Sequence, residues 1–227
     1  MARARVMAAL VILDAVKSDL LPGLGEDAPE IVWDPTAALI KRLENGETAD
    51  GIFAIDASIQ RLVAEGRLRP ETVVPVVQAE FGFAMPEGSG LTLPRDAAGV
   101  IALLRSVPSV AMSRAGASGI YFETLIDRLG IGDEVRAKAV IIPAGLTGEK
   151  LLTGEAALAF QQMSELKAVP GIDILGPLPD DCQQFTDFSA AIFTDAAFPD
   201  AAQRFVDLLR SPEAARSYVA RGLKLRF

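Results

Sequence analysis

The sequence predicts an α/β protein of two lobes, each a central, mainly parallel sheet flanked by helices. Three observations predict it. Strand-like and helix-like segments alternate along most of the chain, the pattern of βαβ units. Two long β-rich runs, "TVVPVVQAEFGFAMP" (72–86) and "FTDFSAAIF" (185–193), enclose a complete α/β block. At 227 residues and 50% apolar, the chain is long enough to bury a full core in each lobe. The expected division is 1–81 plus 183–227 as a discontinuous first lobe and 82–182 as an inserted second lobe, with the two β runs as hinge strands.

The elements follow in order. Val6–Leu13 is continuously apolar and reads as a buried strand, with a helix over Ala15–Leu21. Glu30–Trp33 is a strand. "DPTAALIKRLENG" then supplies a helix signature: Asp34 to cap, Pro35 in the first helical position, Leu39, Ile40 and Leu43 on one face, and Gly46 to stop it. Gly51–Ile55 is a strand, and Asp56 caps a helix that ends at Gly66. After the first β run, "EGSGLTLP" is a loop. A helix at Ala97–Ser106, a strand at Ser109–Met112, a helix at Ser118–Leu129 and a strand at Val140–Ile142 follow. The pattern then gives a helix over Thr147–Leu152, a strand at Ala157–Phe160, and, beyond the second β run, helices at Pro199–Leu209 and Pro212–Arg221.

Composition excludes several functions. The net charge is −8 with no cluster of basic residues, which argues against nucleic-acid binding. A local helix terminus and one arginine can still attract a small anion. There is no histidine, so Ser-His-Asp and Cys-His nucleophilic sites and His-ligated metals are excluded. Cys182 is the single cysteine and reads as a small core or surface residue. No metal and no cofactor is expected. "MARARVMAALVILDA" imitates a signal peptide, but its apolar stretch is short and ends at Asp14, and the strand reading is preferred. The expectation is a periplasmic protein if a leader was trimmed and a cytoplasmic one if Met1 is the native start, with no membrane insertion.

Catalytic look-alikes fail. "GASGI" lacks the last glycine of a nucleophile elbow, "GLTGEK" lacks Walker A spacing, and "GLGEDA" (23–28) follows a helix rather than a strand. "AGASGIY" (115–121) is stronger, because small residues opening a helix expose backbone N–H groups to an anion. Ser118 has two open roles there, ligand donor or helix cap. Arg114 is either a carboxylate partner or a solvated surface residue. Thr36 carries the same ambiguity as Ser118. In "FQQMSEL" (160–166), Gln161 at a strand end is expected to face the site. Three loops are therefore in play: 34–36, 113–119 and 143–148.

The segments "DPTAALIKRLENGETADGIFAID", "AGASGIYFETLIDRLGI", "GEAALAFQQMSEL" and "PGIDILGPLPDDCQ", in this order and spacing, carry a resemblance. Over nearly its whole length the chain resembles the type 2 periplasmic solute-binding proteins, in the molybdate-binding-protein-like branch that also includes aconitate-isomerase-like members. The resemblance implies two lobes closing on an oxyanion or organic anion in the cleft between them, and an ABC-transporter membrane component as partner. By position it implies Thr36, Ser118, Gly119, Thr147 and Gln161 as ligand donors, with Arg114 added from the residues themselves. The family's serine-rich loop after the first strand is replaced here by "AALVIL", with Leu10 near the expected hydroxyl. That favours an organic carboxylate over molybdate. Two alternatives accompany this expectation. One is an isomerase of an unsaturated di- or tricarboxylate, with Glu165, Tyr121 or a hydroxyl as base; the other is a ligand-sensing domain.

Overall fold

The computed structural model describes residues 3–25, 28–114, 116–143 and 145–227. The chain forms two compact units, Met1–Ala79 with Thr186–Phe227 and Glu80–Phe185.

In the first unit, β1 (Arg5–Ala8) lies between β2 (Glu30–Trp33) and β3 (Gly51–Ile55), parallel to both. The predicted strand Val6–Leu13 ends early. The Ala9 amide bonds the Phe53 carbonyl at 2.9 Å, and a 3-10 turn begins at Leu10. It continues as α1 (Leu13–Ala15) and a π-helical turn through Leu20. Val11, Ile12, Ala15, Val16 and Leu20 are buried at helical spacing, so this apolar run satisfies both periods and the helix wins. Arg221 fixes the segment from outside, bonding Asp14 at 2.6 Å and Asp19 at 2.7 Å. Of "GLGEDA", Glu26 and Asp27 lie outside the described residues.

Helix α2 (Thr36–Glu44) has Pro35 as its N-cap residue, not Asp34. Asp34 instead pairs with Arg42 at 2.7 Å. Helix α3 (Asp56–Ala64) likewise starts with Asp56 inside it; that carboxylate accepts the Ser189 hydroxyl rather than capping. Gly46 and Gly66 stop these helices at φ +88° and +70°, backbone that only glycine adopts readily.

Strand β4 (Val74–Pro86) carries the chain into the second unit. There follow α4 (Ala97–Ser106), β5 (Val110–Ser113), α5 (Ala117–Arg128), α6 (Gly132–Arg136), β6 (Ala139–Ile142), α7 (Glu149–Leu152), β7 (Leu158–Gln162), α8 (Met163–Lys167) and β8 (Ile172–Pro177). The sequence pattern misses α6, α8 and β8. Strand β5 pairs in parallel with β6 and β7, while β4 runs antiparallel to β7 and β8. The carboxyl ends of β5, β6 and β7 therefore share one edge, where α5, the 143–148 loop and α8 begin. Phe81, Phe83, Phe122 and Phe160 form an aromatic core beneath it, with the Phe122 and Phe160 rings stacked at 4.3 Å.

The chain returns through β9 (Phe185–Ile192), antiparallel to β3. Helices α9 (Pro199–Leu208) and α10 (Pro212–Ala220) and the short β10 (Lys224–Leu225), antiparallel to β4, complete the first unit. Asp50 is buried there and accepts the Arg5 and Phe198 amides at 2.7 and 2.8 Å.

Candidate functional site

The edge formed by β5, β6 and β7 collects most of the residues singled out from sequence. Ser113 ends β5, and its hydroxyl accepts the Gly116 amide at 3.0 Å. Gly116 is the N-cap residue of α5 and no side chain caps this helix. Ser118 is therefore not a cap: it lies inside the first turn, 3% exposed, and its hydroxyl bonds nothing among the described residues. The amides of Ala117, Ser118 and Gly119 belong to the first turn, where a helix supplies no acceptors. Ala115 lies outside the described residues.

Gly119 is required by packing. A Cβ there would lie 1.8 Å from the Ser113 carbonyl oxygen. Its missing side chain lets α5 sit against the end of β5, a reason that the run of small residues does not reveal. Arg114 is exposed, and among the described residues its guanidinium has no partner; its amide bonds the Ile142 carbonyl at 2.9 Å.

Thr147 and Gln161 are turned on each other. Thr147 is fully buried; its amide donates to Gln161 Oε1 at 2.7 Å and its hydroxyl reaches the same oxygen at 2.9 Å. Gln161 Nε2 donates to the Gly145 carbonyl at 3.0 Å. This amide thus braces the loop that precedes α7. The loop includes Ala144, which lies outside the described residues. In the first unit, Thr36 Oγ1 accepts the Ile55 amide at 3.3 Å, which leaves its O–H proton available to donate.

Sequence reasoning missed Ser113, whose role depends on a turn three residues long. Tyr121 is a core residue: it stacks on Phe81 at 5.0 Å and its hydroxyl donates to the Cys182 carbonyl. Cys182 is buried too, and burial pushes its thiol up to about 11, which keeps it unreactive. Glu165, in the first turn of α8, keeps part of its surface accessible, yet its carboxyl is poorly solvated. Desolvation pushes it up to about 8, opposed by hydrogen bonds from the Gln162 backbone and the Gln161 side chain. Next to it in the chain, the Ser164 hydroxyl is buried without a partner among the described residues. Among the described residues no three acidic or cysteine side chains cluster to hold a metal, and no helix is long and apolar enough to cross a membrane.

The two α/β units and this strand-end site define a type 2 periplasmic-binding-protein fold, the fold of solute-binding proteins. Residues 29–224 match the family described as bacterial extracellular solute-binding protein, and the chain belongs to that family. An aconitate isomerase from a Pseudomonas species is 35% identical over 192 residues, covering 84% of this chain and 73% of that protein. The periplasmic molybdate-binding protein of Azotobacter vinelandii superposes with a TM-score of 0.82 at 18% identity, over 99% of this chain and 100% of that one. L-phospholactate-bound PEB3 gives 0.69 at 15% identity, over 97% and 99%.

Proposed function

We propose that the chain binds a small organic anion, with a carboxylate at the α5 N-terminus. The observation that supports this most is Arg114: its guanidinium is exposed, has no partner among the described residues, and belongs to the residue that precedes by a few positions the first-turn amides of α5 and the Ser118 hydroxyl. A carboxylate meets all three with charge-assisted hydrogen bonds and the positive end of the helix dipole. Gly119 contributes its amide. Thr147 and Gln161 hold the neighbouring loop in place. An organic acid is favoured over a tetrahedral oxyanion because the turn after β1 reads Ala9-Leu10-Val11, with no hydroxyl to offer. In this reading the protein works outside the cytoplasmic membrane and delivers its ligand to a transporter. A thermal-shift panel of molybdate, tungstate, sulfate and di- and tricarboxylates tests it. Ligand at a hundred times Kd adds about 2.7 kcal/mol of stability, a readily measured rise in melting temperature. Stabilisation by molybdate with none by any carboxylate would refute the preference.

A second reading is favoured by the 35% identity to an aconitate isomerase, well above the identity to the binding proteins of known structure named above. Here the same anion site isomerises an unsaturated di- or tricarboxylate. Proton NMR of trans-aconitate incubated with the protein reads this directly, by the appearance of the cis isomer.

A further inference from the structure

We infer that the Glu165 carboxyl group carries the proton in an allylic hydrogen shift at this edge of the second unit, acting on an unsaturated carboxylate held by Arg114 and the α5 N-terminus. The inference rests on the isomerase reading and names its base.

Placement supports it first. β7 runs directly into α8, so Glu165 stands in the first turn beyond the carboxyl end of β7, while Arg114 and Ser118 stand beyond the carboxyl end of β5, its parallel neighbour. The carboxyl is desolvated, and no cation contributes to its environment: the groups acting on it are the Gln162 backbone and the Gln161 amide. Lys167, on the same helix, is exposed. Asp173 on the adjacent β8 is engaged by the Gly88 amide. A dry carboxyl without an ion partner stays protonated near neutrality and becomes a stronger base than an ordinary carboxylate once ionised. The alternatives are weaker. Tyr121 spends its hydroxyl on Cys182, Glu149 is exposed, and the chain has no histidine. Gln161 bonds the Gly145–Thr147 loop and its amide favours the ionised form of Glu165, which makes it a positioning residue for this carboxyl.

The step balances without an oxidant, a reductant or a co-reactant. Ionised Glu165 takes a proton from the methylene next to the double bond. The released electron pair spreads over the three-carbon unit and its carboxylates, whose charge faces Arg114 and the α5 amides. Protonated Glu165 then returns the proton to the far carbon, and the double bond has moved.

Glu165 stands three residues after Gln162, the N-cap residue of α8, whose backbone N–H favours its ionised form, and a purely structural glutamate there would affect stability alone. The test therefore reads binding and proton exchange separately. Wild type, Glu165→Gln and Glu165→Asp are titrated with trans-aconitate by calorimetry, and conversion to the cis isomer, with any loss of the allylic proton signal to D2O, is followed by NMR. The expected result is conversion by the wild type, rising with pH through about 8, and a fall of about 10²–10⁴-fold in Glu165→Gln with affinity held within a few-fold. Glu165→Asp keeps a carboxylate and is expected to recover part of the rate, which controls for misfolding of the glutamine variant. Binding without isomerisation or exchange by the wild type, or conversion within tenfold of wild type in Glu165→Gln, overturns the inference and leaves the anion site standing. No binding by the wild type overturns the anion site and the inference together.

Discussion

Replacing Ser118 by alanine separates a ligand donor from a helix cap. In the structure Gly116 is the N-cap residue of α5, and the Ser118 hydroxyl has no partner among the described residues. Among the described residues no hydrogen bond is lost with that oxygen. Serine and alanine differ by about 0.5 kcal/mol or less in helix propensity, in favour of alanine, so the stability of the free protein is expected to hold or rise slightly. Affinity is expected to fall. A hydrogen bond to a charged ligand is worth about 1.5–3 kcal/mol, which corresponds to roughly a tenfold to hundredfold increase in Kd. Calorimetric titration with trans-aconitate and a melting curve on the same samples give both quantities. The reasoning is refuted if affinity is unchanged and the melting temperature drops, because a cap would cost about 1 kcal/mol of stability and no binding.

Gly119→Ala sets a Cβ against the Ser113 carbonyl, 1.8 Å away before relaxation, and should cost about 1–3 kcal/mol; a melting temperature within a degree of wild type would contradict that packing. Asp50→Ala strips the acceptor from two part-buried amides, those of Arg5 and Phe198, and is expected to destabilise by about 1–3 kcal/mol in urea unfolding. The raised Glu165 pKa predicts a pH effect of definite sign. The native protein holds a proton that the unfolded chain releases above about 4.5, so stability falls as pH rises from there through about 8. Glu165→Gln should flatten that slope, as read from unfolding free energies at pH 5, 7 and 9.

Regular elements with strong local signals were legible in the sequence. Strands β2 and β3 and helix α4 run where the pattern places them, because alternation and period agree with their flanking residues. The stretch Leu10–Leu13 was misread as strand because a continuous apolar run fits a buried strand and a buried helix equally well, whereas the helix expected from Ala15 is there. Helix α8 was hidden by its length, five residues, and by the polar side chains of Gln161 and Gln162 just before it. At the site, "AGASGIY" announced a helix opening on bare amides. The sequence did not announce why Gly119 is glycine, since Ser113 meets it only after α5 packs. The Thr147–Gln161 bond joins residues 14 apart and closes only once β6 and β7 both flank β5, so no local pattern encodes it. Asp34 and Asp56 read as caps, but each found a longer-range partner, Arg42 and Ser189.

The central claim is that Arg114 and the α5 N-terminus hold an organic carboxylate. Isothermal titration of wild type and Arg114→Ala with trans-aconitate and with molybdate tests it most directly. The predicted result is saturable one-site binding of the tricarboxylate, weakened about tenfold or more in Arg114→Ala, with no heat from molybdate. Tight molybdate binding with a silent tricarboxylate titration, or tricarboxylate affinity unchanged in Arg114→Ala, would contradict it.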